Sequence, residues 1–473
     1  CGLNLVTHSH GLLSRSEAEN HAVISHDVRR AQCIAIDEAH NFLNPKSSRT
    51  RSLLGNMADH VVLFTATPIN KGVRDLISIV ELLGADNLDD EALKLFDELA
   101  LRMRRQRNQF VLRDDERRRL RAIVGRFTLR RTKRDLKLQA QRHPEAFVDD
   151  DNQPCTYPEH VAHTYETRET VEDQELAEQI RELAGRLKGM VNLGKGIEFP
   201  ESLRGMASPE KFVSARLKSA AALAYYHVMS ALRSSRPALV EHILGTDEAC
   251  RRFGLDASLK PTPTGNILRS LDGIIGQVHP SNVAELLPTW LLDKQAHAAA
   301  VREEIEIYEQ ILARVERMSD ARDRGKARQL LKLHRRHPSL IAFDSCLISL
   351  AWIRRLLLDS GCESPVIVAT GANPQSRRKV AKLLAPGSKT RRLIVLCSDA
   401  LSEGINLQKA SAVVMLDMPS VIRVAEQRIG RVDRLNSPHA RVEIWWPKDS
   451  PSFALKTDAK FIRRHRDVAA ILG

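Results

Sequence analysis

Short apolar runs alternate with longer amphipathic stretches at both ends of the chain. Near the front, residues 31–36 and 61–64 are apolar runs that end in polar residues. Residues 73–84 have the spacing of an amphipathic helix that stops at Gly84. Parallel strands covered on both faces read as continuous apolar runs. The pattern therefore predicts an α/β region with two buried parallel strands.

The same alternation returns near the end of the chain. The candidate strands there are SLIAF (339–343), PVIVAT (365–370), RLIVLCS (392–398), AVVMLD (412–417) and RVEIWW (441–446). The helices predicted to separate most of them lie near 345–358, 374–384 and 421–429. The alternation predicts a doubly wound, mostly parallel sheet, and such sheets bind ligands at the carboxyl ends of their strands.

The segment between these two regions is helical in pattern. Residues 86–137 are also very basic, and 138–320 contain no internal repeat. A stretch of that size is too long for a linker and is expected to be a helical insertion or subdomain. The predicted domains are the first α/β lobe with a basic helical protrusion (1–137), a helical insertion (138–320), a second α/β lobe (321–450) and a tail (451–473).

Composition favours one class of partner and argues against disulfides, a zinc site and a membrane span. The 473 residues carry a net charge of +13, which favours a polyanion, although a solvated Arg-rich surface is the alternative. The seven cysteines show no C-x-x-C spacing, so neither a disulfide framework nor a zinc site is expected. No apolar run reaches the ~18 residues of a membrane span. A reducing compartment is expected: the cytoplasm, or the nucleoid or nucleus where the DNA lies.

Polar chemistry follows both front strands directly. Asp37 and Glu38 come after CIAI, and His40 completes D-E-A-H. One carboxylate at a strand end can hold Mg²⁺ through water, and its neighbour can orient the attacking water of a phosphoanhydride hydrolysis. Thr65 and Thr67 follow the next strand, where hydroxyl groups can sense the acidic motif.

Two further motifs follow the later strands. In Q-R-I-G-R-V-D-R, Gln427, Arg431 and Arg434 are spaced to share one helix face, which could present two guanidinium groups to a triphosphate. A basic amphipathic helix is the alternative. The loop S-D-A-L-S-E-G-I-N-L leaves a buried strand, and its Gly404 would allow close approach to a phosphate or ribose.

In this order, D-E-A-H, T-A-T-P, S-D-A-L-S-E-G-I-N-L and Q-R-I-G-R-V-D-R resemble motifs II, III, V and VI of superfamily-two helicases. A-T-P-I-N (66–70) and F-T-L-R-R-T-K (127–133) resemble the Swi/Snf-type branch. L-V-T-H-S (5–9) resembles motif Ib, and 339–343 the strand of motif IV. The matches span about 1–137 and 325–446.

This resemblance implies two RecA-like lobes, the first of them incomplete here, with ATP and Mg²⁺ bound in the cleft between them. It assigns Asp37 to Mg²⁺ and Glu38 to water, and it makes His40, Thr65 and Thr67 coupling residues. Gln427, Arg431 and Arg434 would reach the nucleotide from the second lobe, with Gly404 and Asn406 nearby. The residues assigned to nucleic acid are Thr7, Ser398, Asp399, Arg130, Arg131 and Lys133. Tracking on double-stranded DNA is implied.

The family's phosphate-binding loop, G-x-x-x-x-G-K-[ST], is expected well before D-E-A-H, yet none of the 36 residues ahead of Asp37 match it. The near-match at 189–196 is rejected because no strand leads into it and Gly196 lacks a hydroxyl group. We therefore expect the loop to lie in a missing front part, and this chain alone to be inactive.

Three functions remain open from the sequence. The first is an ATP-driven translocase on double-stranded DNA, with the helical middle as a candidate surface for protein partners. The second is a strand-separating RNA or DNA helicase. The third is a non-catalytic clamp on nucleic acid, which the missing phosphate loop favours and the retained acidic and arginine residues oppose.

Overall fold

The chain divides into two compact units, each described here by itself. Unit 1 comprises 1–132, 420–423 and 459–473, and unit 2 comprises 133–419 and 424–458. The computed structural model describes residues 5–10, 13, 19–44, 47–54, 56–65, 73–83, 88–106, 111–129, 133–148, 152, 155, 157–201, 208–256, 265–371, 373–385, 387–399, 406–419, 422–434, 437–455 and 458.

Unit 1 contains a small parallel sheet followed by helices. Its elements are α1 (Glu19–Arg30), β1 (Cys33–Ile36), a 3₁₀ turn (Ala39–Phe42), α2 (Ser48–Leu54), β2 (His60–Leu63), α3 (Val73–Leu83), α4 (Asp90–Gln106) and α5 (Asp114–Phe127). β1 and β2 pair in parallel, with Cys33 opposite His60 and Ile36 opposite Leu63. The predicted strands and the helix over 73–84 are confirmed.

The predicted burial of these two strands on both faces is wrong. Within β1 only Ile36 is buried, while Val62 in β2 and Phe64 just after it are 42% and 56% exposed. The physical reason is that one apolar cluster, which includes Ile24 and Phe42, contacts the sheet, and the rest of the sheet surface faces solvent.

The basic helices of unit 1 pack through their own apolar core and internal ion pairs. Leu76, Leu95 and Leu120 are buried together. Glu116 is also buried and accepts hydrogen bonds from both Arg102 guanidinium nitrogens and from the Arg113 backbone N–H. Burial would raise the pKa of Glu116, but these bonds outweigh it and lower the pKa to about 2. Part of the positive charge in this region is therefore used within the fold.

Unit 2 carries a six-stranded parallel sheet in the order β3-β8-β7-β4-β6-β5 and a large helical layer. The strands are β3 (Glu159–Glu166), β4 (Ser339–Phe343), β5 (Val366–Ala369), β6 (Leu393–Cys397), β7 (Ala412–Met415) and β8 (Arg441–Lys448). The helices are α6 (Lys133–Arg142), α7 (Val171–Gly185), α8 (Pro209–Ser234), α9 (Arg236–Leu244), α10 (Thr246–Phe253), α11 (Ile267–Asp272), α12 (Lys294–Arg317), α13 (Ala321–Arg336), α14 (Leu347–Asp359), α15 (Pro374–Leu383) and α16 (Ile422–Ile429, with Val424 onward in unit 2).

The central strands of this sheet are buried on both faces, as predicted. Every residue of β4, β6 and β7 is buried. Ile341 and Phe343 point to the face covered by α15, whereas Leu340 and Ala342 point to the face covered by α13 and α14. The predicted doubly wound α/β class is confirmed, because all sheet pairs are parallel and helices lie on both faces.

β3 was missed by the sequence analysis. Its sequence, EHVAHTYE, is polar, and only Tyr165 is buried within it. It pairs with β8 at the edge of the sheet, so few of its side chains need be apolar. The segment predicted as an insertion thus supplies one strand to the sheet, and its helices share an apolar core with Ile348 of α14.

Part of the predicted tail is also built into unit 2. Phe453 and Leu455 are buried in the helical core. The Arg181 guanidinium donates to the carbonyl oxygens of Pro451, Ser452 and Ala454 at 3.0, 2.6 and 2.9 Å. Residues 449–455 are therefore held against the helical layer.

We predict that Gly325→Ala destabilises unit 2. A Cβ at Gly325 in α13 would lie 2.1 Å from the backbone oxygen of Thr167, and a backbone atom cannot rotate away. The free energy of unfolding should fall by about 3 kcal/mol. Gly185→Ala, where no neighbouring atom lies within 4 Å, is the control and should raise it by up to ~1 kcal/mol. Urea denaturation checks both, and equal effects would contradict the packing argument.

Candidate functional site

The acidic motif lies where β1 ends. Hydrogen bonds from Phe64 N–H to Ile36 O (2.8 Å) and from Ala39 N–H to Phe64 O (2.9 Å) hold this turn beside the end of β2. The Asp37 side chain is exposed, and its Oδ1 accepts from the Glu38 N–H at 2.8 Å. One carboxylate oxygen thus fixes the turn, while the group stays open to solvent.

Glu38 has a left-handed backbone conformation, with φ 48° and ψ 45°. A non-glycine residue in this region costs about 1–3 kcal/mol and is found mainly where the surrounding structure fixes it, often at functional sites. The Glu38 carboxylate lies 3.2 Å from Nδ1 of His40, whose side chain is buried. Thr65 Oγ1 lies 3.5 Å from the same nitrogen. His40 therefore contacts both Glu38 and the end of β2. Thr67 lies outside the described residues.

The donor set at this turn fits Mg²⁺ held mainly by water and phosphate. Mg²⁺ is usually bound through one or two carboxylates, with waters and substrate phosphates completing an octahedron. Asp37 offers one exposed carboxylate. Within the ranges described above, no group of three or more His, Cys, Asp or Glu side chains is arranged to hold a metal ion. A cage built only from protein ligands is therefore not the arrangement found here.

The helix predicted near 421–429 is confirmed, but the arginine motif continues beyond its end. α16 stops at Ile429, and Gly430 and Arg431 form the turn after it. The idea that Gln427, Arg431 and Arg434 share a face of one helix is therefore wrong. The physical reason is a turn in which the Asp433 N–H bonds Ile429 O at 3.1 Å and Arg434 Nε donates to Gly430 O at 3.0 Å. All three side chains remain partly exposed.

Arg428 is the residue of this motif that the sequence analysis missed. It is fully buried, and its guanidinium donates to Asp399 Oδ1 at 2.6 Å and to Asp417 Oδ1 at 2.7 Å. Burial opposes its charge, but Asp417 and Asp399 outweigh this effect and raise the pKa of Arg428. A signal existed, since Arg428 has the helical spacing of the buried residues Ala425 and Val432.

Three aspartates lie at the carboxyl ends of neighbouring strands. Asp344, Asp399 and Asp417 follow β4, β6 and β7. Asp417 Oδ2 accepts from the Ser345 N–H at 3.0 Å, so Arg428 connects indirectly to the end of β4. Asp399, assigned to nucleic acid from the sequence, has a side chain that is 39% exposed and that accepts from Arg428.

Asp344 was not predicted and is completely buried. Its Oδ1 accepts from Ser234 Oγ at 2.6 Å and from the Cys346 N–H at 2.8 Å, while Oδ2 has no hydrogen-bond partner within the described structure. Burial, with the nearby Asp417 charge adding to it, raises the pKa of Asp344 to about 7.

The other predicted residues are distributed as follows. Ser398 is buried, and Asn406 exchanges hydrogen bonds with Gln408 at 2.6 and 3.1 Å. Thr7 lies in an exposed, irregular segment of unit 1. Lys133 begins α6, but its side chain is not described. Gly404, Arg130 and Arg131 lie outside the described residues.

The backbone at the start of the rejected phosphate-loop sequence binds a buried carboxylate of the protein. The backbone N–H groups of Lys188, Gly189 and Met190 donate to the buried Glu304 carboxylate at 2.9, 3.0 and 3.1 Å. Gly189 has φ +74°, and a Cβ there would lie 2.3 Å from Ala220 O. The segment follows the end of α7, and its amides bind a carboxylate of the protein itself.

Comparison with known proteins agrees with this architecture. The family model of the SNF2-related domain matches residues 6–192, and that of the helicase conserved C-terminal domain matches 325–436. The chain is 42% identical over 59 residues to the RNA polymerase-associated protein RapA of Pseudomonas putida, covering 12% of this chain and 6% of that protein. It is 50% identical over 46 residues to RapA of Cronobacter sakazakii, covering 10% and 5%. Each match thus spans a small fraction of the relative's length.

Two solved structures are also similar to this chain. The C-terminal part of the Fun30 ATPase domain is 14% identical with a TM-score of 0.32, covering 65% of this chain and 88% of that one. The Sulfolobus solfataricus SWI2/SNF2 ATPase core in complex with dsDNA is 16% identical with a TM-score of 0.25, covering 90% and 66%.

The chain belongs to the SNF2-type branch of helicase superfamily two, which confirms the resemblance carried by its motifs. Enzymes of this family are helicase-like ATPases and generally use ATP with Mg²⁺. Among the helices of the described ranges, none has the length and apolar character needed to cross a bilayer.

We predict that Asp344→Asn stabilises unit 2 at high pH. The folded-state pKa lies above the unfolded value, so this group makes the free energy of unfolding fall as pH rises from about 4 to about 7. Asparagine keeps an acceptor and removes the charge. The gain should be about 4 kcal/mol near pH ~8 and close to zero near pH ~4.

Chemical denaturation at the two pH values measures this difference. Asp272→Asn, at an exposed position of α11, is the control and should change stability little at either pH. A stabilisation that is the same at both pH values would show that Asp344 is not a buried carboxylate with a raised pKa.

Proposed function

We propose that this chain is the motor region of an ATP-driven translocase on double-stranded DNA. Turnover would require a phosphate-binding loop of the G-x-x-x-x-G-K-[ST] type in addition to these residues. The observation that supports the proposal most is the junction of β1 and β2, where Asp37, Glu38, His40 and Thr65 come together. ATP–Mg²⁺, when bound, supplies the phosphoanhydride and the metal charge.

In this proposal each residue of the junction has a separate task. The exposed Asp37 carboxylate binds Mg²⁺ through water. Glu38, held in place by its left-handed backbone, orients the attacking water and accepts its proton. His40 contacts both Glu38 and Thr65, so a change at the acidic pair reaches the end of β2 directly. Thr65, with Thr67, then transmits the state of the nucleotide.

The arginine motif is proposed to contribute charge to the nucleotide. Arg428 is committed to Asp399 and Asp417, so it is the wrong arginine for this purpose. Arg431 and Arg434 are partly exposed in the turn after α16, and guanidinium groups match phosphate geometry. We assign the arginine-finger role to these two, with Gln427, Gly404 and Asn406 contributing to the nucleotide side.

Nucleic acid is proposed to contact the loops that leave β6 and the segments around Thr7 and 130–133. The net charge of +13 supports a polyanionic partner. Duplex DNA is preferred over a strand-separating helicase substrate because aromatic residues make up only 4% of the chain, so stacking on single-stranded bases has little support. Any protein partner of the helical middle belongs to the same proposal.

We predict that Glu38→Gln abolishes ATP turnover. In protein that carries a phosphate-binding loop together with these residues, duplex-stimulated kcat should fall by at least ~10²-fold, because the water loses its base, while nucleotide binding persists. Glu98→Gln, at an exposed position of α4, is the matched control and should turn over normally. Unchanged turnover in Glu38→Gln would remove Glu38 from the reaction. The 473 residues alone should show no turnover.

We also predict that duplex DNA stimulates ATP turnover more than RNA or forked DNA does. The comparison uses the same protein and equal nucleotide concentrations of each nucleic acid. Stronger stimulation by RNA or by a fork would favour the strand-separating helicase. Binding of nucleic acid without any ATP turnover by protein that carries a phosphate-binding loop would favour the non-catalytic clamp.

A further inference from the structure

A concave surface of unit 2 lies between α13 and the end of β3. We call it the α13–β3 groove, and its cavity volume is about 530 Å³. The residues that define it are Tyr165, Arg168, Arg328, Lys332, Arg335 and Trp445. None of them has a task in the proposed ATPase site.

Three of the groove cations are regularly spaced along one helix. Arg328, Lys332 and Arg335 are four and three positions apart in α13, so they share a face. At 1.5 Å per residue this row is about 10 Å long. Arg168 follows β3 and adds a fourth exposed cation from another element.

The exposed cations of α13 differ from its buried ones in how they are satisfied. Arg322 is buried and donates to Asp449 Oδ1 at 2.6 Å and to the Glu169 carboxylate, and buried Lys326 donates to backbone oxygens. In contrast, Arg328, Lys332 and Arg335 form no ion pair with any carboxylate of the described ranges. The fold therefore uses the charges on one face of α13 and leaves those on the other face available.

The aromatic floor of the groove is already engaged. The Trp445 ring stacks on His163 at 4.5 Å and 25°, its N–H donates to Glu443 at 2.9 Å, and the Arg336 guanidinium lies 5.9 Å from its centre. Tyr165 donates its hydroxyl hydrogen to Met415 O. A platform for unstacked bases is thus missing from the described floor, which argues against a single-stranded ligand.

We propose that the α13–β3 groove binds the sugar–phosphate backbone of a nucleic-acid duplex, as a contact separate from the motif loops. A row of exposed guanidinium and ammonium groups on a rigid helix is the chemistry that neutralises successive phosphates without reading sequence. Among the described residues that line the groove, Glu166 carries the only carboxylate, and it lies 3.7 Å from Lys448 and is partly neutralised. The inference rests on the proposed function for the partner class.

The test measures duplex binding without nucleotide, so that it does not depend on ATP turnover. A fluorescein-labelled mixed-sequence duplex is titrated by anisotropy at a series of KCl concentrations. The triple variant Arg328→Gln/Lys332→Gln/Arg335→Gln should bind at least ~10-fold more weakly near ~0.1 M salt. The negative slope of log K against log salt should become shallower by about 0.9 per lost phosphate contact.

The matched control removes three exposed cations from α8: Lys211→Gln/Arg216→Gln/Lys218→Gln. Both triple variants change net charge equally, so a general charge effect would weaken them alike and would overturn the proposal. Circular dichroism checks that both fold. A misfolded groove variant leaves a second measurement on the unmodified chain: duplex should protect Lys332, but not Lys211 or Lys218, from acetylation detected by mass spectrometry.

Further outcomes separate failure of the groove from failure of the proposed function. Absence of duplex binding by the unmodified chain would contradict the proposed function as a whole. Duplex binding that the groove variant retains would overturn only the groove. If the groove variant loses binding of oligo(dT) more strongly than binding of duplex, the groove would be assigned to a single strand. If the groove variant still binds duplex but no longer binds a polyglutamate probe, the groove would be assigned to an acidic protein segment.

Discussion

The burial of Arg428 between Asp399 and Asp417 is the constraint on which the arrangement of the second α/β region depends. A guanidinium without solvent is tolerable only when carboxylates surround it, and removal of one partner from such a set typically costs about 3–5 kcal/mol. The two aspartates follow β6 and β7, the strands on either side of β4, and Asp417 also bonds the Ser345 N–H after β4. The residues that follow β4, β6 and β7 are thus linked to the last turn of α16 through Arg428. Arg431 and Arg434 project from the turn directly beyond that helix.

A second ionic cluster joins the helical layer to the sheet. Arg322 and Arg233 share Asp449: Oδ1 accepts from Arg322 at 2.6 Å, and Oδ2 accepts from Arg233 at 2.6 Å. Arg233 also bonds Asp458, and Phe453 lies 4.6 Å below the Arg322 guanidinium. These contacts tie α8 and α13 to the segment after β8. The helical middle is therefore part of the same folded unit as the sheet, although its sequence pattern differs from that of the flanking regions.

The sequence pattern predicted most of the sheet because its central strands obey a simple rule. Strands covered on both faces, such as 339–343 and 393–397, must be apolar throughout, and few other structures need that. β3 escaped because an edge strand tolerates His160 and His163. β1 and β2 were predicted correctly as strands, but their predicted burial on both faces is wrong. The extent of the surrounding sheet is not encoded in a four-residue run.

The candidate site was predictable where chemistry follows a strand and less so where it depends on turns. Asp37 and Glu38 stand directly after β1, but the left-handed backbone of Glu38 has no signal in a residue that is not glycine. The motif around Arg431 suggested one continuous helix, and the turn after Ile429 separates residues that the spacing joined. Asp344 and Arg428 were missed because charged residues inside apolar stretches are usually assigned to the surface.

The pairing of β3 with β8 has a consequence for how the protein is made. Glu159 and Arg441 are partners although 282 residues separate them along the chain. At about 5–20 residues per second, roughly 15 s to a minute passes on the ribosome between the two strands. During that time β3 and the helical layer, whose core includes Phe453, lack their final neighbours. Nascent-chain chaperones would therefore meet this region as a long-lived, partly folded intermediate.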